Sequence, residues 1–166
     1  LLLQVLRALG WQASSYLPHR MDEGYGLSRD GVENCLRKYP TSLLLAVDCG
    51  STVVETIAWL REREVDVIVL DHHQISTPAP AAVALVNPQR QGRESRVESR
   101  EPETGMPSTL DPRPSTELCS VGLAFKLAHA LVKRGREITL PGAVVFDLRP
   151  LLDLVAANQN RPRQEG

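Results

Sequence analysis

The stretch Val65-Asp66-Val67-Ile68-Val69-Leu70-Asp71-His72-His73 packs five β-branched or leucine side chains into six residues, then ends on a carboxylate and two imidazoles. The alternation over 65–70 predicts a buried strand of a sheet. Three polar, metal-competent side chains then emerge at its carboxyl end, which is where open α/β sheets bind their ligands. The plainer alternative is that Asp71 caps the following turn while both histidines point into solvent.

The flanking sequence supplies the rest of a sheet. Upstream, Thr41 to Val47 is an apolar run of strand length, expected to be a central parallel strand covered on both faces, and it ends in Asp48-Cys49-Gly50. Between the two strands, Ser51 or Thr52 can cap a helix whose apolar stripe is Val53, Val54, Ile57 and Leu60. Downstream, Ala82 to Val86 predicts another strand, closed by Asn87-Pro88. Towards the amino terminus, Leu2, Val5, Leu6 and Leu9 follow a helical period that Gly10 stops. Ser14 to Leu17 reads as a short strand, and Ser28 caps a helix reaching Lys38. Such alternation means βαβ units: an α/β fold with a largely parallel sheet flanked by helices. In that sheet Asp48 and Asp71 end consecutive strands and are neighbours within reach of one shared ion.

Residues 89–117 differ in kind. They carry five Arg, five Glu, one Asp and four Pro with few large apolar side chains. They cannot bury enough surface to offset their ordering entropy, so a disordered, charged insertion is expected. Acidic residues balance its arginines, which argues against a basic nucleic-acid arm. From Leu118 a helical stripe (Val121, Ala124, Phe125, Ala128, Leu131, Val132) runs to about Arg134, with Gly135 as its stop. A last helix is expected over Leu148–Ala157, and 158–166 as a frayed tail.

With 166 residues, 42% hydrophobic and 23% charged, the chain has the size and composition of one ordinary globular domain. Its net charge of −1 gives no overall pull towards nucleic acid, so any such binding must be local. The widely spaced Cys35, Cys49 and Cys119 form no Cys-x-x-Cys pair, which argues against a disulfide framework or a zinc ribbon and fits a reducing cytosol. No apolar run approaches the roughly 18–20 residues of a membrane span, so no membrane association is expected. The chain opens in mid-helix without Met, as a piece of a longer protein would.

Ions such as Mn²⁺ accept carboxylate and imidazole together. Two of them about 3.5–4 Å apart can clamp the attacking and leaving oxygens of a phosphodiester. Asp48 and His72 are the candidate ligands, with His73 beside them and Asp71 as a ligand or a support. His129, Asp66, Asp147 and Asp153 read as ordinary helix or solvent-facing residues.

At these motifs the chain resembles the DHH phosphoesterase superfamily, and within it the RecJ branch of single-strand-specific exonucleases. The match is carried by Tyr16 to Leu27 (Y-L-P-H-R-M-D-E-G-Y-G-L), Val47 to Gly50, Val67 to His73 and Ser120 to Leu127, with Val86-Asn87-Pro88 as a shorter fifth stretch. The resemblance implies a partial DHH domain over 1–157, interrupted at 89–117. It implies Asp48 as a metal-bridging carboxylate and His72 as a metal ligand. His73 would face a substrate phosphate, with Asp71 orienting both rings. Ser120 and Gly122 would meet phosphate at a helix start. It further implies two Mn²⁺ or Mg²⁺ ions in the complete enzyme, single-stranded DNA digested 5′→3′ in repair and recombination, a bacterial cytoplasm, and no evident protein partner.

The departures bear on activity. The family's Asp-x-Asp is absent from this sequence. Its late ligand Asp is also missing, because Ala157-Asn158-Gln159-Asn160 stands where a Gly-Thr turn leads to it. The expectation is therefore a stretch that is inactive alone. The alternatives are a phosphoesterase of short oligonucleotides or cyclic dinucleotides, and a non-catalytic remnant.

Overall fold

The computed structural model describes residues 1–89 and 118–159. The expectations for the rest of 89–117 and for 160–166 lie outside the described residues. The chain divides into two compact units, Ser42–Leu118 and Leu1–Thr41 with Cys119–Gly166.

The unit beginning at Ser42 holds a parallel three-stranded sheet. Strand β1 (Leu43–Val47) is joined by a helix (Val54–Glu62) to β2 (Asp66–Leu70), which pairs in turn with β3 (Ala84–Val86). The fold class read from the sequence, α/β with a parallel sheet and helices, is the one observed. Strand β2 is central: Val67, Val69 and Leu70 are buried, while Asp66 faces out. Strand β1 was expected to be central but is an edge of the described sheet, and Leu43 and Val47 are exposed there. A run of apolar residues marks a strand without saying which neighbours it has.

Ser51 and Thr52 do not cap the helix after β1. Its N-cap is Val53, which makes no side-chain capping bond. Ser51 is instead wholly buried. Gly50, at φ +109°, makes this placement possible, because a Cβ there would stand 3.2 Å from both methyls of Val69.

The other unit is helical. Numbered in chain order with Val54–Glu62 as α3, it holds α1 (Leu2–Ala8), α2 (Arg29–Lys38), α4 (Ser120–Glu137), α5 (Pro141–Val145) and α6 (Leu152–Gln159). Val5, Leu9, Ala128, Val132 and Ala143 form its core. Ser28 caps α2 as expected, accepting from the Gly31 N–H at 3.2 Å. Three readings are corrected. Ser14–Leu17 is not a strand. Its Tyr16 hydroxyl donates to Glu23, and Asn34 donates to the same carboxylate, so the segment is tied to a loop and to α2 rather than to a ladder. Gly135 does not end its helix, which continues to Glu137. Its role is close packing, since a Cβ would lie 2.6 Å from that of Ala143. The last helix also begins later than expected, at Leu152 after a 3₁₀ turn over Arg149–Leu151, and ends at Gln159 rather than Ala157.

Candidate metal centre

Register explains why the polar residues meet. Val47 pairs with Leu70, so the residues that follow, Asp48 and Asp71, leave the sheet at the same level. The Asp48 N–H still donates to the Leu70 carbonyl at 2.9 Å, and that of Asp71 to the Val86 carbonyl at 3.1 Å. Asp48 then turns into the left-handed region at φ +67°, a conformation that Asp tolerates better than bulkier residues and that is frequent at functional sites.

Its Oδ1 lies 3.3 Å from Nε2 of His72. The rings of His72 and His73 are 4.5 Å apart between centroids. One donor atom each from Asp48, His72 and His73 falls within a 4.8 Å cluster. A carboxylate with imidazoles, partly open to solvent, suits a Mn²⁺-type divalent ion, whose bonds of about 2.0–2.2 Å place neighbouring ligands roughly 3 Å apart.

Asp71 occupies the floor beneath this cluster at 1% exposure. Its Oδ1 accepts from Nδ1 of His73 at 2.7 Å and from the backbone N–H of His72 at 2.8 Å and of His73 at 3.3 Å. Its Oδ2 accepts from the Ser51 N–H at 3.0 Å. Burial alone pushes its carboxyl up, but the bonds from His73 and Ser51 outweigh burial and hold it below the ordinary value. An ionised Asp71 makes Nδ1 of His73 the protonated nitrogen and leaves Nε2 with its lone pair for a metal or ligand. Burial, then the charges of Asp71 and Asp48, push the neighbouring Cys49 thiol up to about 11, and its Sγ turns to the Val47 carbonyl at 3.7 Å rather than joining the cluster.

Ser120 and Gly122 are buried in the first turn of α4, which belongs to the other unit. His129, Asp66, Asp147 and Asp153 are exposed, in keeping with their plain reading. Reading the residues in order missed Ser51 and Asn87. Both are buried polar side chains beside the cluster, and the only hint was the Val86-Asn87-Pro88 stretch.

Comparison with known proteins gives the same direction. Over 155 residues the chain is 32% identical to the single-stranded-DNA-specific exonuclease RecJ of Bacillus subtilis, covering 92% of this chain and 17% of that protein. It is 35% identical over 156 residues to the RecJ of Haemophilus influenzae, covering 91% and 23%. The chain thus spans less than a quarter of the length of either relative. A crystal structure of exonuclease RecJ bound to manganese superimposes with a TM-score of 0.56 at 31% identity, covering 80% of this chain and 29% of that one. Residues 1–157 match the model of the DHH family N-terminal domain, and with the Asp-His-His triplet seated at the carboxyl edge of a parallel sheet the chain belongs to the DHH family.

Proposed function

We propose that this chain is part of the catalytic domain of a RecJ-like, metal-dependent exonuclease that hydrolyses phosphodiester bonds of single-stranded DNA in the cytoplasm. The observation that carries the reading is the Asp48–His72–His73 donor cluster over a buried, ionised Asp71. Asp48 and His72 would hold Mn²⁺, with Mg²⁺ as the other candidate. A bound ion supplies Lewis acidity and a water of lowered pKa. Asp71 orients His73 through Nδ1, and that imidazole is proposed to lie on the side of the incoming phosphate. Ser120 and Gly122, at the start of an 18-residue helix, are proposed to offer backbone N–H groups to the nucleic-acid backbone. Domain boundaries at 1–157, with 158–166 as a tail, belong to the same reading.

A two-metal site needs more carboxylates than the Asp48–His72–His73 cluster brings together, so the chain is expected to be inactive alone. The test has two arms, each with Mn²⁺ and a single-stranded oligonucleotide. One uses the chain itself. The other uses a chimera in which residues 1–157 replace the matching segment of Bacillus subtilis RecJ. The expected result is no cleavage by the chain, and cleavage by the chimera that Asp48→Ala or His72→Ala abolishes. Cleavage by the chimera that survives both substitutions would overturn the site. Turnover of cyclic dinucleotides in preference to the oligonucleotide would favour the small-substrate alternative.

A further inference from the structure

We propose that Asn87 is a positioning residue: its side-chain amide locks the loop that carries Asp48 to the loop that carries His72 and His73. The functional consequence rests on the metal-centre reading above, but the geometry stands without it.

Asn87 follows β3 and is 4% exposed. Its Nδ2 donates to Oγ of Ser51 at 2.9 Å and to the carbonyl of His73 at 2.9 Å, and its Oδ1 accepts from the backbone N–H of Gln89 at 2.9 Å. Both donor hydrogens and the acceptor are therefore used. Ser51, three residues past Asp48, takes the Asn87 hydrogen on its hydroxyl oxygen. Its backbone N–H in turn donates to Oδ2 of Asp71 at 3.0 Å. One amide thus anchors a chain of contacts that runs Asn87, Ser51, Asp71, His73. Gln89 adds a second arm from the same segment, its Nε2 donating to the His72 carbonyl at 2.9 Å.

The carbonyls of both histidines are thereby held by amide side chains that supply none of the donor atoms of the candidate metal cluster. A buried amide is costly unless every polar atom is paired. An apolar residue would close β3 without that cost, but it would hold neither loop. A fully satisfied polar network specifies one arrangement, and here that arrangement is the separation of Asp48 from the two imidazoles.

The variants are Asn87→Asp, near-isosteric but without donors, then Asn87→Leu, Ser51→Ala and Gln89→Ala. Thermal unfolding by circular dichroism shows which are folded. The metal-free readout is the ¹⁵N shifts of the His73 ring, which report its tautomer. The metal readout is the Mn²⁺ dissociation constant by calorimetry on the whole chain. The wild type is expected to hold His73 in the Nδ1-protonated form. Folded Asn87 variants are expected to show a tautomer mixture and Mn²⁺ binding weakened about 10–100-fold, as is usual for partners that orient metal ligands. Gln89→Ala, at an exposed residue, should fold and lose less. Wild-type tautomer and affinity in a folded Asn87→Asp variant would overturn the proposal. If neither Asn87 variant folds, unchanged values in both Ser51→Ala and Gln89→Ala overturn it. Loss of the tautomer in the variants, with no Mn²⁺ bound even by the wild type, would uphold the positioning role and overturn the metal-centre reading instead.

Discussion

Oδ1 of Asp48 and Nε2 of His72 stand 3.3 Å apart although 24 residues separate them in the chain, because parallel pairing brings Val47 level with Leu70. If that pair is a set of metal ligands, removing either should weaken Mn²⁺ binding at least as much as the 10–100-fold typical of an outer partner. Titrating Asp48→Asn and His72→Ala with Mn²⁺ checks this. Substituting the exposed Asp66 should leave the affinity unchanged.

Asp71→Ala should be the most destabilising substitution at the site. It would leave the buried N–H groups of Ser51 and His72 without their acceptor and the His73 ring without its partner. Breaking a buried charged network of this kind costs about 3–5 kcal/mol. A urea titration with an unchanged midpoint would contradict the role assigned to its carboxylate.

Tyr16 and Glu23 give a pH dependence at both ends of the scale. The hydrogen bond to Glu23, with burial and the Glu23 charge behind it, pushes the Tyr16 hydroxyl up to about 12. A folded value above the unfolded one means stabilisation that is complete below about pH 10 and is lost as pH rises towards 12. Glu23 is held below the usual carboxylate range, first by the Tyr16 hydroxyl, then by the His19 N–H and Asn34. Its stabilisation is present above the unfolded carboxylate value and is lost as pH falls through the folded one. Absorbance at 295 nm should show a late-titrating component that Tyr16→Phe removes and Glu23→Ala shifts to lower pH.

Gly142→Ala should disrupt the helical unit. A Cβ there would stand 1.7 Å from the carbonyl oxygen of Ala8, and backbone cannot yield as a side-chain tip can. Forced overpacking of this kind costs about 3 kcal/mol. A melting temperature equal to that of the wild type would mean that the close approach of α5 to α1 is absent in solution.

Much of this was legible along the chain. The β-branched alternation in Val65–Leu70, the apolar run ending at Val47 and the stripes of α3 and α4 are short-range patterns. Hydrophobic period follows from backbone geometry, so the helix–strand order and the polar residues at each strand end could be read directly. The short α5 escaped such a reading because Pro141-Gly142-Ala143-Val144-Val145 has no period long enough to register. Ser14–Leu17 misled because Tyr16 is satisfied by Glu23 and not by a neighbouring strand.

Residue order placed Asp48, Asp71, His72 and His73 at strand ends, and strand polarity then required those ends to share one edge of the sheet. Three-dimensional packing settled the rest: that β1 lies at the edge of the described sheet, that Ser51 turns inward instead of capping α3, and that Asn87 reaches Ser51 across 36 residues. A hydrophobic pattern records which face of an element is buried. A directional hydrogen bond between distant loops depends on which strands become neighbours and in what register, and no local pattern records that.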